Sequence, residues 1–325
     1  MNRIIYILGF SLLLGGCASL TKTQINCINQ FAETTENFSA FPSKIMTELS
    51  EIRVKRGVYF ANSLTDPKLH TKEIDEIFSQ KKFDSEVSKK VDVTFKIIDK
   101  YSQSLVLLSS DRYIKKTEKN LTNIGIGIDS LITLNNSIDG NTKIPTGIGS
   151  AVGKLIILGG KQYYRAKQAK EIKKFVNLAD TLVSAMTTNL LAYLQSETIN
   201  ELIENEERGI TESYLSYLQQ INEETRTMSI SSDSKDTINS ISVTIRKPSI
   251  ENEMDYLDLK SKIDGVKTLQ HQTIRATKNL RNTHKKLLVQ IERKKNLKQT
   301  INELQGLFED INDLKKTVQK IDAKN

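Results

Sequence analysis

The chain is poor in the residues that interrupt helices or support catalysis. Its 325 residues include no tryptophan, four prolines, three histidines and two cysteines. So few cysteines exclude a disulfide framework, and the fold must be stabilised by packing. Scarce proline and aromatic residues, with abundant Lys, Glu, Ile and Leu, favour helices. We therefore predict an all-α fold, an elongated bundle of long antiparallel helices that ends in a basic helical hairpin.

The histidines and glycines form no recognisable catalytic pattern. His271 and His284 are thirteen residues apart, whereas two ligands on one helix face need i,i+4 spacing, so we expect both to be solvated. His70 is expected in a solvated turn. The pairs Gly125/Gly127 and Gly147/Gly149 follow no convincing strand and lack phosphate-loop spacing. We expect no enzyme activity, no cofactor and no metal. A cell-wall or lipid hydrolase is the enzymatic alternative, and no motif supports it.

The amino terminus has the pattern of an export signal. Arg3 is its only charge, and an uncharged run extends from Ile4 to Gly16. This length suits the apolar core of a signal peptide and falls short of the about 20 residues of a membrane-spanning helix. The run ends in Leu14-Gly15-Gly16-Cys17, an aliphatic residue and two small residues before a cysteine. This motif resembles the lipobox of bacterial lipoproteins, and the resemblance covers residues 1–17 only.

The lipobox resemblance implies a lipid anchor. It implies that residues 1–16 are a signal peptide, that cleavage falls between Gly16 and Cys17, and that lipid is attached to the sulfur of Cys17. Two or more acyl chains, at about 0.8 kcal/mol per buried methylene, make a stable anchor. Ala18, rather than Asp, follows the cysteine, which points to the outer membrane. Cys27 is then the one free thiol, and it is either a small buried or half-buried residue or part of an intermolecular bridge.

Apolar residues at helical spacing predict long amphipathic helices. The stripes are Ile28, Phe31, Phe38 and Phe41; Ile77, Phe83, Val87, Val91, Phe95, Ile98 and Leu105; Val176, Leu182, Val183, Met186, Leu190 and Leu194; and Leu304, Leu307, Ile311, Leu314, Val318 and Ile321. Gly125 and Gly127 are expected to interrupt a helix, and Gly209 is expected to mark a break or a kink.

Composition divides the mature chain into three parts. Residues 17–225 are predicted to form a helical bundle, and 226–249 a Ser/Thr-rich loop or small β-hairpin that marks the internal boundary. Residues 250–325 are predicted to form the C-terminal hairpin. The formal net charge is +8. Because an exported protein does not normally meet nucleic acid, anionic membrane or glycolipid headgroups are the expected counterparts of basic patches.

The Gly-rich apolar segment 144–160 has three interpretations. The first is a tight turn followed by a buried helix start, and the second is part of an interfacial amphipathic element. The third is one arm of an apolar hairpin within 121–160, like those of helical pore-forming proteins. In the last case, Asp129 and Lys154 would each cost about 2.5–3.5 kcal/mol at mid-bilayer. The candidate membrane-contact residues are Lys154, Tyr163, Tyr164, Arg165, Lys167 and Lys170.

These features predict a lipid-anchored envelope protein that acts as a non-enzymatic helical scaffold or binding module. Its expected partners are the membrane, through the N-terminal lipid, and another envelope protein. The alternative function is a membrane-active protein that uses the hairpin within 121–160.

The lipobox prediction is tested by the Cys17→Ser variant, in which the acyl acceptor is a hydroxyl instead of a thiol. We expect wild-type protein in a bacterial host to incorporate labelled fatty acid, to shorten and to sediment with membranes, and the variant to do none of these. Identical labelling and fractionation of the two proteins would show that Cys17 is not the anchor.

Overall fold

In a computed structural model of the chain, residues 20–109, 118–137, 161–230, 249–293 and 297–323 are described. They form the helices α1 Lys22–Phe38, α2 Lys44–Asn62, α3 Pro67–Ser109, α4 Glu118–Ser137, α5 Lys161–Leu194, α6 Glu197–Ile230, α7 Ile250–Arg293 and α8 Leu297–Asp322. These ranges contain no β-strand, so the all-α prediction is confirmed. Within them, no helix has the length and apolar character needed to cross a membrane.

Polar side chains cap several helix starts, where the first backbone N–H groups have no partner in the helix. Thr21 and Gln24 form a reciprocal capping box at α1, with Thr21 Oγ1 accepting from Gln24 N at 3.2 Å and Gln24 Oε1 from Thr21 N at 2.9 Å. Ser196 Oγ accepts from Ile199 N at the start of α6. At α7, Ser249 Oγ accepts a hydrogen bond from the third residue of the helix.

The chain divides into two compact units. The first unit comprises residues 1–40, 93–191 and 275–312, and the second comprises 41–92, 192–274 and 313–325. Because α3, α5, α7 and α8 cross these boundaries, each helix contributes residues to both units.

Aromatic side chains fill the core of the first unit. Phe38 meets Phe95 edge-on with ring centroids 5.9 Å apart, and Tyr101 meets Phe175 at 5.2 Å. All four side chains are at most 3% exposed. Such pairs contribute about 0.5–1.5 kcal/mol beyond their area burial.

A tyrosine cluster joins three helices of the second unit. Tyr59 of α2 packs edge-on against Tyr214 of α6, and Tyr214 stacks on Tyr256 of α7 at 4.3 Å. The Tyr59 hydroxyl donates to the backbone oxygen of Asn252 at 3.0 Å. Burial, and then the charge of Asp255, raise the pKa of Tyr59 to about 12, so it remains a hydrogen-bond donor.

Burial agrees with most of the predicted apolar stripes. The α5 stripe from Val176 to Leu194 is buried, as are Leu304, Leu307, Ile311, Leu314 and Ile321 of α8. The assignment of Phe83 to an apolar stripe is wrong, because its side chain is 59% exposed. The next residue, Asp84, is only 3% exposed. Asp84 faces inward because it pairs with an arginine of α2. Phe41, also assigned to a stripe, lies beyond the end of α1.

The helix breaks predicted at three glycines are wrong. Helix α4 continues through Gly125 and Gly127, and α6 continues through Gly209. A β-carbon at Gly209 would lie 2.6 Å from Cδ of Arg56, so this glycine makes room for a neighbouring side chain. Gly57 acts similarly in α2, where a β-carbon would lie 2.7 Å from Cγ1 of Ile77.

The boundary predicted at 226–249 stays a prediction. Helix α6 ends at Ile230 and so includes the first five residues of that range, and residues 231–248 lie outside the described ranges.

We expect Gly57→Ala to lower the free energy of unfolding by about 1–3 kcal/mol, because the new methyl group overpacks the contact with Ile77. The matched control is Gly306→Ala in α8, where a β-carbon meets nothing within 4 Å. Its gain in helix propensity should stabilise the protein by about 0.5–1 kcal/mol. Urea denaturation followed by circular dichroism measures both. Equal shifts in the two variants would contradict a packing role for Gly57.

Candidate functional site

An open groove of about 730 Å³ lies within the second unit. Residues of α2, α3 and α6 line it, together with Tyr193 near the end of α5. Its size is within the range of about 300–1,000 Å³ that is typical of ligand sites. We call it the α2–α3–α6 groove.

A network of charged groups joins the three helices beside the groove. The Arg53 guanidinium of α2 donates from Nη1 to both carboxylate oxygens of Asp84 in α3, at 2.9 and 3.0 Å. Its Nε donates to Glu206 Oε1 of α6 at 2.7 Å. Arg56 Nε donates to the other Glu206 oxygen at 2.8 Å. Both guanidinium groups are therefore matched by buried carboxylates, whose side chains are each 4% exposed.

Two further residues hold this network in place. Gln80, one turn before Asp84 in α3, donates from Nε2 to Asp84 Oδ1 at 3.1 Å. Gly209 leaves space for the Arg56 side chain to lie against α6. The charge-assisted hydrogen bonds offset the cost of removing two carboxylates from water.

Tyr193 adds a neutral polar group to the groove lining. Its hydroxyl oxygen is buried and has no hydrogen-bond partner among the described residues. Burial, and then the charge of Asp84, raise the pKa of Tyr193 far above its usual 10.0. The phenol therefore keeps its proton and can donate as well as accept.

The walls of the groove are apolar, while carboxylates lie among its lining residues. The apolar lining consists of Met46, Ile77, Phe83, Val87, Ile199 and Leu202. Glu73, Glu76 and Glu201 are further lining residues and are half-buried or exposed. We call these three side chains the rim carboxylates. An apolar wall beside solvated charges suits an amphipathic ligand.

The first unit contains a second polar cluster, at His284. Tyr101 Oη lies 2.9 Å from His284 Nε2, and His284 Nδ1 lies 3.2 Å from Asp180 Oδ1. Tyr101 and His284 are fully buried. The expectation of a solvated His284 is therefore wrong, because the ring has a hydrogen-bond partner at each nitrogen. His271 is exposed, as expected, whereas His70 is half-buried in the first turn of α3.

The hydrogen bonds indicate the proton positions in this cluster. The hydrogen bond from His284, followed by nearby positive charge, holds the pKa of the Asp180 carboxyl below its usual 3.8. The ionised carboxylate accepts, so His284 Nδ1 carries a proton and donates to it. Burial raises the pKa of Tyr101 well above 10.0, so its hydroxyl keeps its proton beside His284 Nε2. With Tyr101 and His284 buried, the cluster positions α3, α5 and α7 within the first unit.

The predicted site residues lie largely outside the described residues. Gly16, Cys17 and Lys154 are in ranges that are not described. Tyr163, Tyr164, Arg165 and Lys167 belong to the first turns of α5, but their side chains are not described. Lys170 is exposed on the same helix. The anchor and membrane-contact assignments therefore stay predictions.

Cys27 is buried at 2% exposure, in agreement with the first of its two interpretations. Burial also raises the pKa of its thiol, so the reactive thiolate is disfavoured. An intermolecular bridge through Cys27 would require this side chain to leave the core of the first unit.

The groove was not predicted from sequence, although two local signals point to it. Arg53 and Arg56 are three residues apart, and Gln80 and Asp84 are four apart, so each pair shares a helix face. The common partner of the two arginines, Glu206, is about 150 positions further along the chain.

No protein-family model, curated protein or solved structure matches the chain.

Removing the charge of Glu206 tests the network. We expect Glu206→Gln to lower the free energy of unfolding by about 2 kcal/mol. This is less than the about 3–5 kcal/mol typical of a broken buried pair, since the amide keeps one acceptor and Arg56 is partly solvated. The control is Glu204→Gln, at an exposed position of the same helix. It should change the free energy of unfolding by no more than about 0.5 kcal/mol. Chemical denaturation measures both, and equal effects would contradict a structural role for the network.

The His284 cluster predicts an acid-dependent loss of stability. Because the pKa of Asp180 is lower in the folded than in the unfolded protein, its stabilisation is complete above about pH 4 and is lost as pH falls through the folded value. Asp180→Asn removes the titrating group, so the variant should lose less stability than wild type between about pH 4 and 2. Denaturation at a series of pH values checks this. If the free energies of unfolding of the two proteins fell in parallel with pH, the role assigned to Asp180 would be contradicted.

Proposed function

We propose that the chain is a lipid-anchored, non-enzymatic binding protein of the bacterial cell envelope, held on the outer membrane by lipid on Cys17. In this proposal, the α2–α3–α6 groove receives a segment of another envelope protein. The lipobox resemblance of residues 1–17 supports the anchor. The groove supports the binding role, because its two arginines are paired with buried carboxylates while its apolar wall is in part open to solvent.

One observation carries the binding role. Phe83 is 59% exposed on the groove wall, next to Asp84, which is buried in an ion pair. The ion pair fixes this part of α3 with an aromatic ring facing the groove. Large exposed apolar side chains beside fixed polar groups are typical of recognition surfaces, where burial on binding supplies the favourable free energy.

A site-specific photocross-linker tests this proposal. We expect benzoylphenylalanine in place of Phe83 to give a discrete cross-linked species in intact cells. The matched control is the same substitution at Phe78 of α3, which is 72% exposed and is not among the groove-lining residues. A second control is Met254 of α7, which is 53% exposed and also outside the groove.

The cross-linked species is identified by mass spectrometry and should contain one defined envelope protein. Irradiation that yields no adduct at Phe83, or the same adducts at all three positions, would overturn the binding role of the groove.

A further inference from the structure

We propose that the occupant of the α2–α3–α6 groove is a basic amphipathic segment of the partner protein, with Lys or Arg side chains at the rim carboxylates and apolar side chains on the wall. This inference rests on the proposed function and specifies the chemistry of the partner.

Charge at the groove favours a cation. Five carboxylates line it, against two guanidinium groups. Arg53 and Arg56 are already held by Asp84 and Glu206, so the negative charge of the rim carboxylates is not matched by these arginines. Glu76 has a contact with Lys72 at 3.4 Å, but both side chains are at least 60% exposed. A solvated pair of this kind contributes little and can exchange for a pair with the partner.

The acidic groove contrasts with the charge of the whole chain. The formal net charge is +8, so long-range electrostatics do not attract a cationic segment to the protein as a whole. Local attraction at the rim carboxylates therefore selects both the position and the orientation of the segment.

The apolar wall selects an amphipathic segment over a small polar cation. Ile77, Phe83 and Leu202 are among its residues, and a ligand must bury apolar surface on them to gain binding free energy. A basic segment with apolar side chains at helical spacing supplies both contacts, as in other helix-in-groove complexes. The Tyr193 hydroxyl, which has no partner among the described residues, adds a hydrogen-bonding group at the lining.

The probe is a fluorescent amphipathic peptide of leucine and lysine, about four helical turns long, titrated with the purified protein and followed by anisotropy. Its counterpart has glutamate in place of every lysine. We expect the lysine peptide to bind, with affinity that falls as salt rises, and the glutamate peptide not to bind.

Neutralising the rim tests where the peptide binds. The triple variant Glu73→Gln, Glu76→Gln, Glu201→Gln should bind the lysine peptide about tenfold more weakly, at about two- to threefold for each exposed pair. The matched control neutralises three exposed acids outside the groove on the same two helices, Asp75→Asn, Glu86→Gln and Glu204→Gln. It has the same net charge and should retain most of the affinity.

Phe83→Ala should weaken binding of the lysine peptide about fivefold, because it removes apolar surface from the groove wall. The matched control, Phe78→Ala, should leave binding unchanged.

The outcomes separate this inference from the proposed function. Equal losses in the two triple variants would show binding to general negative charge, and would overturn the inference. So would a cross-linked partner whose segment at Phe83 is acidic or uncharged, although the binding role of the groove would then stand. Absence of any cross-link at Phe83 would instead overturn the proposed function itself.

Discussion

The Arg53 guanidinium, shared between Asp84 and Glu206, is the contact on which the second unit depends most. Each carboxylate is almost completely buried and would be costly to leave without a positive charge. A planar guanidinium can bind both at once, which an ammonium group does less well. Because Asp84 must face Arg53, the side chain before it, Phe83, faces outward. The pairing that holds α2, α3 and α6 together therefore also creates the exposed wall of the groove.

Each unit uses a polar cluster to fix how three of its helices meet. In the first unit, Tyr101, Asp180 and His284 come from α3, α5 and α7, and in the second unit the arginine network joins α2, α3 and α6. Leucine and isoleucine stripes tolerate a shift along the helix axis, since one apolar contact replaces another. A guanidinium held between two carboxylates, or a ring with two hydrogen-bonded nitrogens, does not tolerate such a shift. Apolar burial thus supplies most of the stability, and the polar clusters specify the register.

The sequence predicts whatever depends on neighbours along the chain. Helix α5 and the α8 stripe follow from apolar spacing alone, since each helix buries one face. The failures at Phe83, Gly209 and His284 share one cause: each is decided by a residue far away in sequence. His284 meets Asp180 across 104 positions, and Arg53 meets Glu206 across 153. The spacing of apolar residues assigns a side chain to a helix face, but it contains no information about a partner that is distant in sequence.

An anchor and a solvated groove suit each other physically. If lipid on Cys17 confines the chain to a membrane surface, a partner on that surface meets it at a high effective concentration, so the groove needs only modest intrinsic affinity. In this proposal, the half-buried Glu73 and the exposed Glu76 and Glu201 select the position and orientation of the partner segment, while the apolar wall governs how long it stays bound. A deep, dry pocket would instead slow exchange. The openness of the α2–α3–α6 groove is therefore compatible with a tethered protein that binds and releases its partner repeatedly.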